Sequence, residues 1–239
     1  MQQIPIPSGW GLLREARIAL DLAAGLRHAP NLVRAPRGDR SPVLLLPGYA
    51  AGDTSMFLLR CFLRGLGWDA RGWGLGINRG DAPALLPRVV HVLETMAARS
   101  RRAVALVGWS MGGFLAREAA RDRPELVSQV ITLGTPVIGG PKYTAVAETF
   151  RRRGYDLDAI EAECEARACR PIAAPVTAIY SRRDGVVAWQ ACIDRTSRAA
   201  RHVEVHSTHA GLGFDPRVWR IVAERLATDE AERPSSAAR

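Results

Sequence analysis

Lysine is almost absent from this chain. Lys142 is the only one in 239 residues, although Lys and Arg together number 33 against 24 Asp and Glu, a formal net charge of +9. The basic surplus is therefore arginine, scattered from Arg14 to Arg239. A nucleic-acid-binding face needs basic side chains gathered on one surface, so the scatter reads as a compositional preference and no nucleic-acid partner is expected. Cysteine is scarce too. The four present, Cys61, Cys164, Cys169 and Cys192, include no C-x-x-C pair and no zinc-type spacing. Reduced thiols and no metal are expected, with a Cys164–Cys169 or Cys169–Cys192 bridge as the alternative. Long apolar runs are missing: no window approaches the roughly 18 residues of a membrane span. Residues 1–7 lack a basic region followed by an apolar core, so a cytoplasmic location is the expectation. The hydrophobic fraction of 47% is nonetheless enough for a full core in a chain of this length. Disorder, collagen-like repeats and coiled coil are excluded as the main organisation.

What is present is a rhythm. Leu12, Leu13, Ala16, Ala19, Leu20, Ala23 and Leu26 recur at helical spacing, which predicts an amphipathic helix over residues 9–28. Pro42 then introduces Val43-Leu44-Leu45-Leu46, a short unbroken apolar run that fits a fully buried parallel strand. Pro47-Gly48 ends it, and Asp53-Thr54-Ser55 is placed to cap a helix reaching about Leu66. Further strands are predicted at 68–75, 103–107, 129–133, 176–181 and 202–205, and helices at 83–99, 111–121 and 214–226. Strand–helix alternation of this kind predicts an α/β fold, a mostly parallel sheet flanked by helices. The domain plan is an N-terminal helix and connector (1–41), one α/β domain (42–229) and a polar C-terminal tail (230–239). Residues 139–170 break the rhythm with a charged stretch containing Arg151-Arg152-Arg153, and are expected to form an inserted cap over the C-terminal edge of the sheet.

The sharpest chemical signal is Gly108-Trp109-Ser110-Met111-Gly112, followed by Gly113. It lies between an apolar strand and a helix, the context in which G-x-S-x-G forms a nucleophile elbow. A serine on so tight a turn projects its hydroxyl above the sheet, and glycines at the flanking positions avoid neighbouring backbone. A serine hydroxyl is a poor nucleophile without a base. Of the five histidines, His28 and His91 fall on predicted helices. A strand at His202 would hold it roughly 13 Å from His206, against a shared metal site. His209 lies past the strand end and is the best base, with His206 in reserve. Asp184, after the strand at 176–181, is the carboxylate to orient it; Asp194 and Asp215 compete. The Asp184-Gly185 pair is also a turn signal, and both roles are compatible. Oxyanion donors are expected from the amide of Met111 and from the loop Pro47-Gly48-Tyr49-Ala50, with Tyr49 first and Ala50 second.

These four ordered motifs, Leu46-Pro47-Gly48-Tyr49, Gly108-Trp109-Ser110-Met111-Gly112-Gly113, Ser181-Arg182-Arg183-Asp184-Gly185 and Thr208-His209-Ala210-Gly211, resemble the α/β-hydrolase superfamily, nearest its lipase- and esterase-like members. Many members carry His-Gly where this chain has Pro47-Gly48. The resemblance implies a serine hydrolase that cleaves carboxylic esters through an acyl-enzyme, with Ser110, Asp184 and His209 as catalytic triad. An acyltransferase or thioesterase with the same triad, or a non-catalytic ligand-binding relative, is the alternative. A small-molecule ester with an apolar acyl part is the expected substrate, because Trp109, Tyr49, Phe57, Met111, Val137 and Val186 flank the motifs, and Trp109, Ala50, Val137 and Val186 are candidates to line its pocket. No cofactor is expected. Gly72-Trp73-Gly74-Leu75-Gly76-Ile77-Asn78-Arg79-Gly80 has no dinucleotide register, though Asn78 could border the mouth of the site or serve the turn, and Lys142 follows no Walker loop. A weak peripheral membrane contact, through residues 9–28 or Arg151–Arg153, is the one further partner the pattern allows, and no motif specifies an oligomeric state.

Overall fold

A computed structural model describes residues 4, 5, 7, 15, 27, 29–197 and 200–232. The helix expected over residues 9–28 lies outside the described residues apart from Glu15, which is helical, and Arg27, as does the tail from 233 onward. Six strands form one sheet: β1 (Pro42–Leu46), β2 (Asp69–Gly72), β3 (Val104–Trp109), β4 (Val127–Leu133), β5 (Val176–Tyr180) and β6 (Ala200–Glu204). Their order is β2-β1-β3-β4-β5-β6, and every neighbouring pair is parallel. Beyond Glu15, the described residues form six α-helices: α1 (Phe57–Gly65), α2 (Ala82–Ser100), α3 (Met111–Asp122), α4 (Ala147–Arg152), α5 (Leu157–Ala168) and α6 (Pro216–Glu232).

The unbroken apolar run of β1 is explained by burial on both faces. Leu44, Leu46, Leu106 and Val130 point to the side of α2 and α3, where Val89, Leu93 and Leu115 meet them. Val43, Leu45, Val107 and Ile131 point the other way, toward Leu59 and Leu63 of α1 and Val218 and Val222 of α6. Alternate side chains thus feed two separate cores. Among the described residues no helix is long and apolar enough to cross a membrane.

Two local expectations change. Asp53 does not cap a long helix: residues Asp53–Met56 form a 3₁₀ turn whose cap position is Gly52, and α1 begins only at Phe57. The Asp53 carboxylate instead accepts from the amides of Trp73 (2.9 Å) and Gly74 (3.1 Å). That contact takes these amides away from strand pairing, so β2 is shorter than the apolar pattern of 68–75 predicts. Residues 139–170 contain the turn Gly140–Tyr143 and helices α4 and α5.

Strand order positions the site. The chain leaves β1 toward β2 on one side and returns to β3 on the other, so the loops after β1 and β3 part in opposite directions. Such a switch point opens a crevice at the carboxyl ends of the strands. Leu46 pairs with Gly108 at that end, which brings the turns at Gly48 and Ser110 side by side.

Candidate active site

Ser110 occupies the single residue between β3 and α3, at φ 54° and ψ −121°. A non-glycine residue at positive φ is strained and persists only where its surroundings fix it. Here they do. The Ser110 amide donates to Leu133 O at 2.8 Å, and its own carbonyl accepts from Gly113 at 2.9 Å. The flanking glycines are obligatory for a steric reason: a Cβ at Gly112 would fall on the carbonyl oxygens of Leu46 and Pro47, and one at Gly108 would strike the Gly113 backbone. At Gly48 a Cβ would sit 3.3 Å from Ser110 Cβ. Both turns therefore approach each other as closely as bare backbone allows.

His209 and Asp184 are joined. His209 Nδ1 lies 2.7 Å from Asp184 Oδ2, with the two side chains 10% and 1% exposed. The other carboxylate oxygen, Oδ1, accepts from the amides of Val186 (2.8 Å) and Val187 (2.7 Å). One carboxylate oxygen thus accepts within the turn and the other meets the imidazole. Burial of the His209 ring opposes its protonation and is the largest single influence. Asp184, by charge and hydrogen bond, and Glu15 by charge outweigh it, and the His209 pKa lies above its ordinary value. The Trp109 ring lies 6.1 Å from the imidazole, centroid to centroid, and Gly134, next to the Leu133 carbonyl that anchors Ser110, has room for no side chain beside Asp184 and His209.

The competing carboxylates and His202 have other partners. Asp194 forms a buried pair with Arg117 at 2.5 Å. Burial would raise its carboxyl, but the Arg117 guanidinium prevails and holds it well below the usual carboxylate range. Asp215 binds Arg217 and accepts from its amide at the start of α6. His202 Nε2 accepts from the Asp194 amide, and the His206 carbonyl accepts from Arg217.

In the loop after β1 the amide of Ala50 is used, donating to Asn78 O at 2.7 Å. Among the two expected loop donors that leaves Tyr49. Asn78 also donates from Nδ2 to Pro47 O at 3.0 Å and accepts from the Gly80 amide, and it is fully buried. Asn78 therefore braces the whole loop, a role larger than the turn residue its sequence context suggests.

A cavity of about 320 Å³ opens beside Ser110. Met111, Phe114, Leu115 and Glu118 of α3 line one wall, and Ile160, Glu163, Cys164 and Arg167 of α5 line another. Each set recurs at i, i+3, i+4 and i+7, one face of a helix. Burial first, then the Glu118 and Glu163 carboxylates, push the Cys164 thiol up to about 12, so it lines the cavity as a small neutral surface. All four cysteines are unpaired, including Cys164, Cys169 and Cys192. The pocket candidates Trp109, Ala50, Val137 and Val186 do not line this cavity. Trp109 packs edge-on to Phe214 below the turn, and the Val137 amide donates to Ala191 O. Val186 points its amide at Asp184 and accepts from Ala145. Tyr49 and Met111, which the sequence also places beside the motifs, line it together with Pro136. The α5 wall was not legible in sequence, because a face that borders a cavity mixes Ile, Glu, Cys and Arg and shows no apolar stripe.

The segment 139–170 is tied down by polar contacts. Arg167 of α5 pairs with Glu118 of α3 and, at 3.0 Å, with Asp122. Arg153 donates to Tyr49 Oη (3.2 Å) and to Arg79 O (3.0 Å), while Phe150 meets the Tyr49 ring at 5.2 Å. Arg151 and Arg152 pair with Glu148. The arginine triplet is thus already engaged within the chain.

Solved structures share this arrangement of elements. A metagenome-derived lipolytic enzyme superposes with a TM-score of 0.65 at 18% identity, covering 83% of this chain and 96% of its own. The monoacylglycerol lipase of Paleococcus ferrophilus gives 0.58 at 14% identity, over 82% of this chain and 97% of that one. A thioesterase domain from the curacin biosynthetic pathway gives 0.58 at 14%, over 81% and 93%. No curated protein sequence matches. The sequence itself matches the alpha/beta hydrolase family over residues 43–239, and the chain belongs to that family.

Proposed function

We propose that the protein is a serine hydrolase of carboxylic esters. The observation that carries this reading is the buried His209–Asp184 pair, set beside a strained Ser110 turn that opens on an apolar cavity. In the first step Ser110 Oγ attacks the ester carbonyl carbon while His209 Nε2 takes the hydroxyl proton. The carbonyl oxygen becomes an oxyanion, held by the amides of Met111 and Tyr49 at the positive end of α3. Asp184 keeps Nδ1 protonated and stabilises the imidazolium. Collapse of the intermediate expels the alcohol, which receives the proton from His209 and leaves an acyl-Ser110 ester. Water then attacks that ester, again with His209 as base, and releases the acid and the free serine.

The cavity supports an apolar acyl substrate. It follows the face of α3 from Met111 to Glu118, about two helical turns or roughly 10 Å. Phe114, Leu115 and Phe150 favour an apolar acyl chain there, and the Glu118–Arg167 pair at the far end sets its limit. Residues 139–170 act as the cap that closes the chain in. Two of the solved structures above are a lipolytic enzyme and a monoacylglycerol lipase by name, which is consistent with the reading. A panel of acyl esters and thioesters, with and without an added alcohol acceptor, tests it against Ser110→Ala. Full activity in that variant would sink the reading, and acyl transfer to the alcohol in preference to water would make it an acyltransferase.

A further inference from the structure

Glu15 stands apart from the hydrolase core, far upstream of β1, yet its carboxylate lies at the site. Oε1 accepts from the amides of Gly185 and His209, both at 3.0 Å, and Oε2 accepts from Ala210 at 3.0 Å. One oxygen therefore bridges the two loops that carry the acid and the base. Gly185 follows Asp184 directly, and His209 donates through its own backbone. Gly185 and His209 are buried, so their amides need an acceptor from the protein once water is excluded. A carboxylate meets that need with charge-assisted bonds, shorter and stronger than bonds to a neutral carbonyl.

Other ties join the two loops near the strand ends. β5 and β6 end at Tyr180 and Glu204, and beyond them Val205 N donates to Tyr180 O and Ser207 N to Ser181 Oγ. Past those contacts Arg182 meets Glu204 at 3.2 Å, and the His209–Asp184 bond joins the two loops at the site itself. That bond must tolerate proton movement during turnover, so a second, unreactive fastening matters for geometry.

We propose that Glu15 is a positioning residue for the reaction, a carboxylate clamp that fixes the Asp184 and His209 loops against each other and adds a negative charge behind the imidazole. The inference rests on the triad reading above. The charged groups acting on the His209 ring are Asp184 and Glu15. Trp109, against the ring, carries no charge, and burial keeps the Cys192 thiol near Asp184 protonated. Loss of the Glu15 charge makes the imidazolium less favourable and leaves His209 neutral to lower pH. A residue that merely braced the fold would not move that titration.

The test compares wild type, Glu15→Gln, Glu15→Ala and Ser110→Ala on a short-chain p-nitrophenyl ester across pH. Competent sites are counted by fluorophosphonate labelling and folding is followed by circular dichroism. In Glu15→Gln, kcat per competent site is expected to fall about 10- to 100-fold, the range that misplacement of a catalytic group by about 1 Å produces. KM stays within about twofold, since ground-state binding is untouched. The acid limb of kcat/KM moves to lower pH. Glu15→Ala, which retains no acceptor, falls further than Glu15→Gln. Wild-type kcat in Glu15→Gln overturns the clamp, as does a fall in kcat with the acid limb unmoved, which would leave Glu15 a structural brace. A loss that disappears once competent sites are counted overturns it equally. An active Ser110→Ala variant would instead overturn the triad reading and the clamp with it.

Discussion

The turn at Ser110 and the cap at 139–170 face the same cavity and are held by opposite means. Around Ser110 the constraints are backbone: a positive φ, amides bound to fixed carbonyls, and glycines whose missing Cβ atoms let β1, β3 and α3 touch. Around the cap they are side chains at the end of long stems: Arg167 on Glu118, Arg153 on Tyr49, Lys142 on Asp158 and Glu161. Backbone packing permits one arrangement. Ion pairs and a small cluster around Phe150 permit several at modest cost. On the proposed function, the difference separates two tasks, with chemistry on the side that cannot move and substrate choice on the side that can be rebuilt.

Removing the hydroxyl at the fixed side tests this division most severely. Ser110→Ala is expected to lower kcat on the order of 10⁵- to 10⁶-fold, the scale seen when a triad nucleophile is deleted. The backbone constraints remain, so thermal unfolding should change little. A large fall in Tm would mean that the hydroxyl, rather than the backbone, holds the turn. Steady-state kinetics beside calorimetry on the same preparation decide it.

The same contrast explains what was legible in the sequence. Gly108-Trp109-Ser110-Met111-Gly112 could be read because a strand-to-helix turn with no space beside it restricts residue type at nearly every position. β1 could be read because burial on two faces demands a run such as Val43-Leu44-Leu45-Leu46. That Asp184 and His209 meet agrees with their place after strands. The cavity walls did not follow. Trp109, Val137 and Val186 flank the motifs in sequence, but Trp109 packs against Phe214 and the Val137 and Val186 amides bond elsewhere, whereas Phe114, one helical turn past Ser110, and Ile160 on α5 reach the cavity. Asn78 and Glu15 were hidden for another reason. Each acts by hydrogen bonds to backbone distant in the chain, 31 residues from Asn78 to Pro47 and 194 from Glu15 to His209, and such contacts leave no periodic trace.

A stability measurement sharpens the comparison next. The Arg117–Asp194 pair ties α3 to the segment beyond β5, with side chains 4% and 1% exposed. Asp194→Ala leaves Arg117 buried without its partner, and a cost of about 3–5 kcal/mol in unfolding free energy is expected. Denaturant titration reads it directly. The exposed pairs of Arg151 and Arg152 with Glu148 contrast with it: Glu148→Ala should leave the denaturation midpoint where it is. Equal losses from both would erase the distinction between the two regions.

pH dependence probes the fixed side alone. His209 acts as base only when neutral, and its pKa is raised from 6.5 because Asp184 and Glu15 outweigh the effect of burial. Therefore kcat/KM should fall as pH drops through a midpoint above 6.5, about tenfold per pH unit below it. Asp184→Asn removes the largest stabilising influence on the imidazolium and should carry the midpoint downward, together with a large loss of rate. A midpoint that stays in place in Asp184→Asn would detach the profile from this pair.

The smallest expected effect lies in the cap, and it is the one that most directly asks whether the two tasks are separable. Ile160 contributes to the α5 wall of the cavity and packs against the cluster of Phe150 and Leu157. Ile160→Trp adds bulk to that wall without approaching the Ser110 turn. Filling part of a 320 Å³ cavity should exclude long acyl chains while short ones still reach the serine. Loss of a few methylene contacts corresponds to about 10- to 200-fold in specificity. On a series of p-nitrophenyl esters, the chain length of highest kcat/KM should move to shorter acids, while kcat on acetate and the acid limb keep their wild-type values. A shift of the acid limb in this variant would mean that the cap reaches the His209–Asp184 pair, and the division of labour between backbone-fixed chemistry and side-chain-held selectivity would fail.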